Sequence, residues 1–279
     1  MNFQLASRFS RNINAARSDE PMSDDQIRAV APSIFAESAH ASRSERYTYL
    51  PTIDVINGLR REGFQPFAVA QTRVRDSGKA EHTKHMIRLR YASNINDSEA
   101  KEVVLLNSHD GSSSYQMLAG MFRFVCANGM VCGETHSDIR VRHSGNIVDN
   151  VIEGATRVLD SFEEVTEQRD GMRALTLNEG EAQAFGRAAL LLKYDDLAAP
   201  APVTERQILN ARRSADRGAD LWTTFNVVQE NLVRGGLIGR SKTGKRATTR
   251  GVNGIDQSVK LNRALWQLAE EMRRLKAAN

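Results

Sequence analysis

Two segments of alternating side chains, residues 67–75 and 84–91, constrain the fold most, and a polar loop that contains Gly78 joins them. A period of two is typical of a strand that packs one face against a core. Two such runs around a glycine-containing loop favour a β-hairpin. The run Val103–Leu106 adds a short buried strand, and residues 130–132 and 139–142 predict further strands. The sequence therefore predicts an antiparallel β-meander in its first half.

Apolar residues at spacings of three and four predict helices before, within and after this meander. The predicted helices cover residues 52–62, 115–126, 148–162, 179–193, 221–233 and 261–275. The fold class is therefore α+β, with an N-terminal antiparallel β-meander and packed helices followed by a mostly helical C-terminal half. We divide the chain into a polar arm (1–45), an α+β domain (46–145) and a helical region (146–279) with a basic loop at 234–254.

Composition excludes several classes of protein. No apolar run approaches the roughly 18 residues of a membrane span, and the first 21 residues lack the apolar core of a secretory signal. The two cysteines, Cys126 and Cys132, fit neither a disulfide framework nor a common zinc spacing. We expect a cytoplasmic protein with reduced thiols, no membrane association and no cofactor.

Positive charge is concentrated near the C-terminus. From residue 201 onward 15 Lys and Arg oppose 7 Asp and Glu, a net charge of +8, whereas the first 200 residues carry −4. The segment Arg234–Arg250 contains six basic residues, no acid and several glycines, and it lacks the spacing of a nucleotide-binding P-loop. Such a loop suits phosphate oxygens, although most charged runs are simply solvated surface. The candidate phosphate ligands are Arg240, Lys242, Lys245, Arg246 and Arg250.

A second basic surface is predicted on the β-hairpin. Alternation places Arg73, Arg75, Arg88 and Arg90 on one sheet face, with Lys84 nearby. This face could follow the backbone of a single strand of nucleic acid. The alternative is that these arginines pair with acids on a neighbouring helix.

Histidines and an aspartate suggest a different chemistry. His82, His85, His109 and Asp110 could bind a metal, but positions 82 and 85 of a strand face opposite sides. The serines at 112–114 lack the Gly-x-Ser-x-Gly pattern of a hydrolase nucleophile, and Asp110 or one of these serines would instead cap the helix predicted from Tyr115. We therefore assign no catalytic residue, and catalysis is not the preferred interpretation.

Several longer motifs are specific enough to indicate a family. They are Ser42-Arg-Ser-Glu-Arg-Tyr47, Thr72-Arg-Val-Arg-Asp76, His82-Thr-Lys-His-Met86, Leu106-Asn-Ser-His-Asp-Gly-Ser-Ser-Ser-Tyr115, Cys126-Ala-Asn-Gly-Met-Val-Cys132 and Leu261-Asn-Arg-Ala-Leu-Trp266. Together they resemble the YafZ/YfjQ-like family, a domain of unknown function found in bacterial prophages, plasmids and integrative elements. The resemblance implies a mobile genetic element as the setting and supplies no catalytic residues. The order helix, hairpin, helix is also similar to that of phage single-strand annealing proteins, a likeness of topology alone.

These observations lead to one main hypothesis and two alternatives. The main hypothesis is an oligomeric protein that binds single-stranded DNA through backbone electrostatics and promotes annealing or recombination. The first alternative is a metal-dependent hydrolase or nuclease that uses the His82, His85, His109 and Asp110 cluster. The second is an interaction protein that counters a host defence system, with the leucines of the last helix as its contact surface.

Overall fold

The computed structural model describes residues 4–5, 13–44, 47–91, 99–124, 128–132, 139–141, 147–194 and 200–278. The predicted fold class is confirmed, because an antiparallel sheet is followed by a mostly helical region. The chain forms two compact units. The first, here called the sheet unit, comprises Met1–Phe162 with Asn253–Ile255, and the second, the helical unit, comprises Glu163–Val252 with Asp256–Asn279.

The strands of the sheet unit follow one another in chain order and pair antiparallel with their neighbours. The last described strand, β8, returns to pair with β6, so β7 and β8 occupy the same side of β6 at different heights. The strands are β1 (Gln4–Leu5), β2 (Ile13–Arg17), β3 (Phe64–Thr72), β4 (His85–Tyr91), β5 (Glu99–Asn107), β6 (Tyr115–Arg123), β7 (Asn128–Val131) and β8 (Ile139–Val141). The predicted hairpin is confirmed as β3 and β4.

The segment predicted as a polar arm contains β2 and the helix α1 (Asp24–Val30). Ser23 begins α1 with a capping box, in which its hydroxyl accepts the Gln26 N–H and the Gln26 side chain accepts the Ser23 N–H. The predicted helix over 52–62 is confirmed as α2 (Thr52–Arg61), and it buries Ile56 and Leu59. Both helices belong to the sheet unit.

The helix predicted over 115–126 is wrong, since residues 115–123 form the strand β6. This strand pairs with β5 on one side and with β7 and β8 on the other. Consecutive residues such as Met117, Leu118 and Ala119 are all buried. A strand covered on both faces has no polar face to reveal its period of two. Because residues 115–123 form a strand, Asp110 has no helix to cap. The order helix, hairpin, helix, on which the likeness to annealing proteins rested, also lacks its last helix.

The helical unit contains the end of α3, from Glu163 onward, and the helices α4 to α7 except the first residue of α7. The helices are α3 (Ile147–Ala174), α4 (Glu179–Lys193), α5 (Glu205–Ile208), α6 (Leu221–Arg234) and α7 (Ile255–Ala277). The helices predicted in this half are confirmed. Trp222 and Trp266 meet edge to face at 6.0 Å between ring centroids and form the centre of its core. Among the described helices, none is both long and apolar enough to cross a bilayer.

Candidate functional site

The basic loop is a folded β-hairpin. Strands β9 (Ile238–Arg240) and β10 (Arg246–Thr248) pair antiparallel, with Arg240 opposite Arg246. The turn is closed by hydrogen bonds from Ser241 N to Lys245 O and from Gly244 N to Ser241 O, both 2.8 Å long. Gly244 has a φ of +77°, a conformation that glycine adopts without strain. We call residues 238–248 the basic hairpin.

The helical unit holds this hairpin in place through its first strand. Arg240 N donates to Pro202 O at 2.8 Å. A Cβ at Gly239 would lie 1.8 Å from the same oxygen, so only glycine allows this close approach. The Gln207 amide also donates to Ile238 O at 2.7 Å. The hairpin is therefore fixed at its base.

The cations of the hairpin region are exposed and lack acidic partners. In the described parts of the chain, none of the five lies within 4 Å of a carboxylate. Arg240 and Arg246 lie directly opposite each other in the hairpin, and like charges in this position repel. An anion bound between these two arginines would relieve the repulsion. The five cations are Arg240, Lys242, Lys245, Arg246 and Arg250.

A cavity of about 500 Å³ brings two of these cations together. Arg240 and Arg246 line it with Thr204, Gln207 and Ile238. Ile238 is 52% exposed, so the same cavity presents an apolar surface beside the two arginines. This combination can contact both the phosphates and an unstacked base of a nucleic acid.

Two arginines of the predicted sheet surface are instead buried. Arg88 Nε lies 2.5 Å from Glu102 Oε2, and Arg90 Nε lies 2.8 Å from Glu102 Oε1. The Arg90 guanidinium also lies 3.7 Å from the centroid of the Phe122 ring and 4.6 Å from that of Phe67. Arg90 is only 1% exposed. The surface placement expected for Arg88 and Arg90 is wrong, because a carboxylate and aromatic rings hold them inside the sheet unit.

The other cations of that predicted surface have different surroundings. Arg73 and Arg75 are exposed in the loop that follows β3, and Arg73 Nε donates to Asn14 Oδ1 at 2.5 Å. Lys84 is partly buried directly before β4. Two pairs of the predicted ligands lie close together. Arg240 and Arg246 are opposite each other in the basic hairpin, and Arg88 and Arg90 share Glu102. Only the first of these pairs faces solvent.

A second candidate site, the buried polar centre, surrounds the Thr52 hydroxyl at the start of α2. Thr52 Oγ1 lies 2.9 Å from His85 Nε2 and 3.2 Å from His109 Nε2. Asn107 donates to the same oxygen at 2.9 Å, and the Tyr115 hydroxyl lies 3.3 Å away. All five residues are buried.

The partners of this centre determine its proton positions. Gln71 donates its amide to Ala80 O, so its own oxygen accepts the Ser33 hydroxyl proton at 2.7 Å. Ser33 Oγ must then accept from His85 Nδ1, at 2.8 Å. His85 Nε2 is left as the acceptor of the Thr52 proton. Burial lowers the pKa of His85 to about 4, which keeps this neutral form at physiological pH.

This arrangement does not form the metal site considered from the sequence. Both His85 and His109 direct Nε2 at Thr52 Oγ1. In the part of the chain that the structure describes, no group of three or more His, Cys, Asp or Glu has geometry that could hold a metal. His82 contributes its backbone oxygen, which accepts the His109 N–H at 2.8 Å. The buried polar centre is therefore a hydrogen-bonded core.

Asp110 forms a turn beyond this centre. Its carboxylate accepts the Ser112 N–H at 2.9 Å. Partial burial alone would raise the pKa of Asp110, but hydrogen bonds from Ser112 and Ser108 together with the nearby Arg43 lower it. The carboxylate is thus engaged in local structure. Of the two cysteines, Cys132 is buried, which raises the pKa of its thiol, and Cys126 lies outside the described residues.

Comparison with known proteins agrees with the motifs. Residues 39–266 match the family described as "Domain of unknown function (DUF932)". The chain is 53% identical over 269 residues to UPF0380 protein YafZ of Escherichia coli (strain K12), covering 96% of this chain and 97% of that protein. It is 54% identical to UPF0380 protein YfjQ of the same organism, with the same coverage. No solved structure matches.

Proposed function

For this chain, which belongs to the DUF932 family, we propose that the function is to bind single-stranded DNA through its phosphate backbone, with the basic hairpin as the contact surface. The observation that carries the proposal is the set of exposed cations described above, which have no carboxylate partner among the described residues. Exposed arginines and lysines on a fixed support bind phosphates by releasing counterions. Annealing or recombination within a mobile element, and assembly into an oligomer, are the wider roles that we propose for this binding.

Two features of the hairpin favour a single strand over a duplex. Ile238 offers an exposed apolar surface in the cavity that Arg240 and Arg246 also line, where an unstacked base can be accommodated. The arginine guanidinium planes can themselves stack on bases. A duplex keeps its bases stacked and would use only the charges.

The sheet unit has a smaller part in this proposal than the sequence suggested. Arg88 and Arg90 are buried and share the carboxylate of Glu102, so they can attract a polyanion only weakly. Arg73, Arg75 and Lys84 are the sheet-unit cations that stay in the proposal. We therefore place the first test in the hairpin.

The test is a fluorescence-anisotropy titration of a labelled 30-nucleotide DNA strand at several salt concentrations. Each phosphate contact contributes about 0.7 to the slope of log affinity against log salt. Replacing Arg240 and Arg246 together by Ala should reduce that slope by about 1.4 and weaken binding at low salt. The matched control replaces Arg157 and Arg274 by Ala, which removes the same charge from two exposed arginines that pair with Glu153 and Glu271.

Three results would count against the proposal. Absence of binding at low salt would remove the function altogether. Equal losses in the hairpin variant and the control variant would show that net charge, rather than the hairpin, drives binding. Equal affinity for a duplex of the same sequence would remove the preference for single strands.

A further inference from the structure

A second cavity, of about 440 Å³, lies where the chain leaves the basic hairpin. Four segments of the helical unit line it: the end of α4 with Tyr194, Pro202, the stretch 248–252 that begins with the last residue of β10, and the first two turns of α7. Its volume lies within the roughly 300–1,000 Å³ of small-ligand sites. Its polar lining residues are Lys193, Tyr194, Thr248, Thr249, Arg250, Gln257 and Lys260.

Three of the lining residues are cations and none is an acid. Lys260 and Arg250 are exposed at the cavity, whereas Lys193 is partly buried. No carboxylate of the described residues lies within 4 Å of any of the three. The cavity therefore has the charge of an anion site and room for more than the anion itself.

Lys193 gives the clearest sign of a ligand. Its ammonium donates to Leu232 O at 2.6 Å and to Arg250 O at 2.8 Å. These are neutral acceptors, and they use two of its three N–H groups. Burial lowers the pKa of Lys193 to about 8, which shows that its charge is poorly compensated. An anion in the cavity would compensate this charge.

We propose that this cavity binds a phosphate monoester dianion, held by Lys193, Arg250 and Lys260. Three cations suit a group of two negative charges better than the single charge of a phosphate within a strand. The remaining volume accommodates the attached sugar and base. The inference rests on the proposed function only for the source of the phosphate, which is then the phosphorylated end of a bound DNA strand.

The experiment uses the full chain and three probes: inorganic phosphate, thymidine 5′-monophosphate, and a 20-nucleotide strand with either a 5′-phosphate or a 5′-hydroxyl. Calorimetry measures the first two, and anisotropy compares the two strands. We expect the wild type to prefer the phosphorylated strand about tenfold, a free-energy difference of about 1.4 kcal/mol. Lys260→Gln should abolish this preference and leave the affinity for the hydroxyl-ended strand nearly unchanged.

Two further variants complete the design. Lys193→Met should lose phosphate binding as well, and circular dichroism checks its fold because Lys193 also binds the end of α6 through Leu232 O. If that variant does not fold, the exposed Lys260 decides the result. Lys79→Gln removes the same charge from an exposed lysine of the sheet unit and should retain the tenfold preference.

The outcomes separate this inference from the proposed function. Strand binding without phosphate preference, together with no binding of the small probes, overturns the inference alone. Binding of phosphate and thymidine monophosphate without strand binding overturns the proposed function and supports a free phosphate monoester as the ligand. Equal loss in Lys79→Gln and Lys260→Gln would show that only net charge acts, and this also overturns the inference.

Discussion

Two arginine pairs in this chain have opposite surroundings. Arg88 and Arg90 share one carboxylate, Glu102, inside the sheet unit. Arg240 and Arg246 face each other across the basic hairpin, exposed and without a carboxylate among the described residues. A buried arginine requires compensation, whereas an exposed one does not. The difference shows that clustered arginines indicate a binding surface only when their neighbours leave the charge uncompensated.

The surroundings of the buried pair explain why it can be inside. Glu102 lies directly opposite Arg90 in the register of β4 and β5. Gly129 leaves room for Arg88, since a Cβ there would lie 2.8 Å from the centre of its guanidinium group. Arg88 Nη2 also donates to Met130 O at 2.6 Å. The chain thus supplies charge, space and acceptors around these arginines.

The largest expected effect comes from breaking this compensation. Glu102→Gln should destabilise the protein by about 3–5 kcal/mol, because it removes the one carboxylate that contacts both buried cations. Urea unfolding measures the change. The matched control is Glu153→Gln, which removes an exposed partner of Arg157 and should cost at most about 1 kcal/mol. Similar small changes in both variants would mean that Arg88 and Arg90 do not depend on Glu102.

In the buried polar centre, His85 shows how a titratable group is buried in its neutral form. The pKa of His85 is lowered from 6.5 to about 4 by burial, so the unfolded chain binds a proton at this residue before the folded chain does. The stability that the neutral, buried His85 provides is complete above pH 6.5. It is lost as the pH falls from 6.5 toward 4. The loss amounts to about 3 kcal/mol.

His85→Gln tests this pH dependence. The free energies of unfolding of the wild type and the variant should run parallel above pH 7, where histidine is neutral in both states. Between pH 6.5 and 4 the wild type should fall more steeply than the variant. Curves that stay parallel over the whole range would show that His85 does not titrate on unfolding.

The sequence predicts correctly the elements that have one buried face and one exposed face. The hairpin of β3 and β4 is recognisable from its alternation, and α4 begins and ends at the predicted residues 179 and 193. For β6 the prediction is wrong because both faces of the strand are buried, which replaces alternation with a continuous apolar run. Helix and strand are then distinguished only by long-range pairing.

The site shows the same limit. Alternation correctly places Arg88 and Arg90 on the same face of β4, but it does not show what covers that face. The signals for burial lie elsewhere in the chain, in Glu102, Phe122 and Gly129, and only the sheet register brings them to the arginines. The charge of the basic hairpin is local in sequence and could be read directly, whereas its two short strands were not predicted and the segment was expected to be a loop.

The smallest expected effect sharpens the other side of the comparison. Replacing Arg240 and Arg246 together by Ala should change the free energy of unfolding by less than about 0.5 kcal/mol, as is usual for exposed positions. Any change should be stabilising at low salt, because two opposed like charges are removed, and it should vanish at 0.5 M salt through screening. Urea unfolding at both salt concentrations measures this change in the free energy of unfolding.

A loss above about 1 kcal/mol would mean that the two arginines support the fold. A change within the expected range means that weaker DNA binding by the same variant reports on contact with the phosphates, since the protein remains folded.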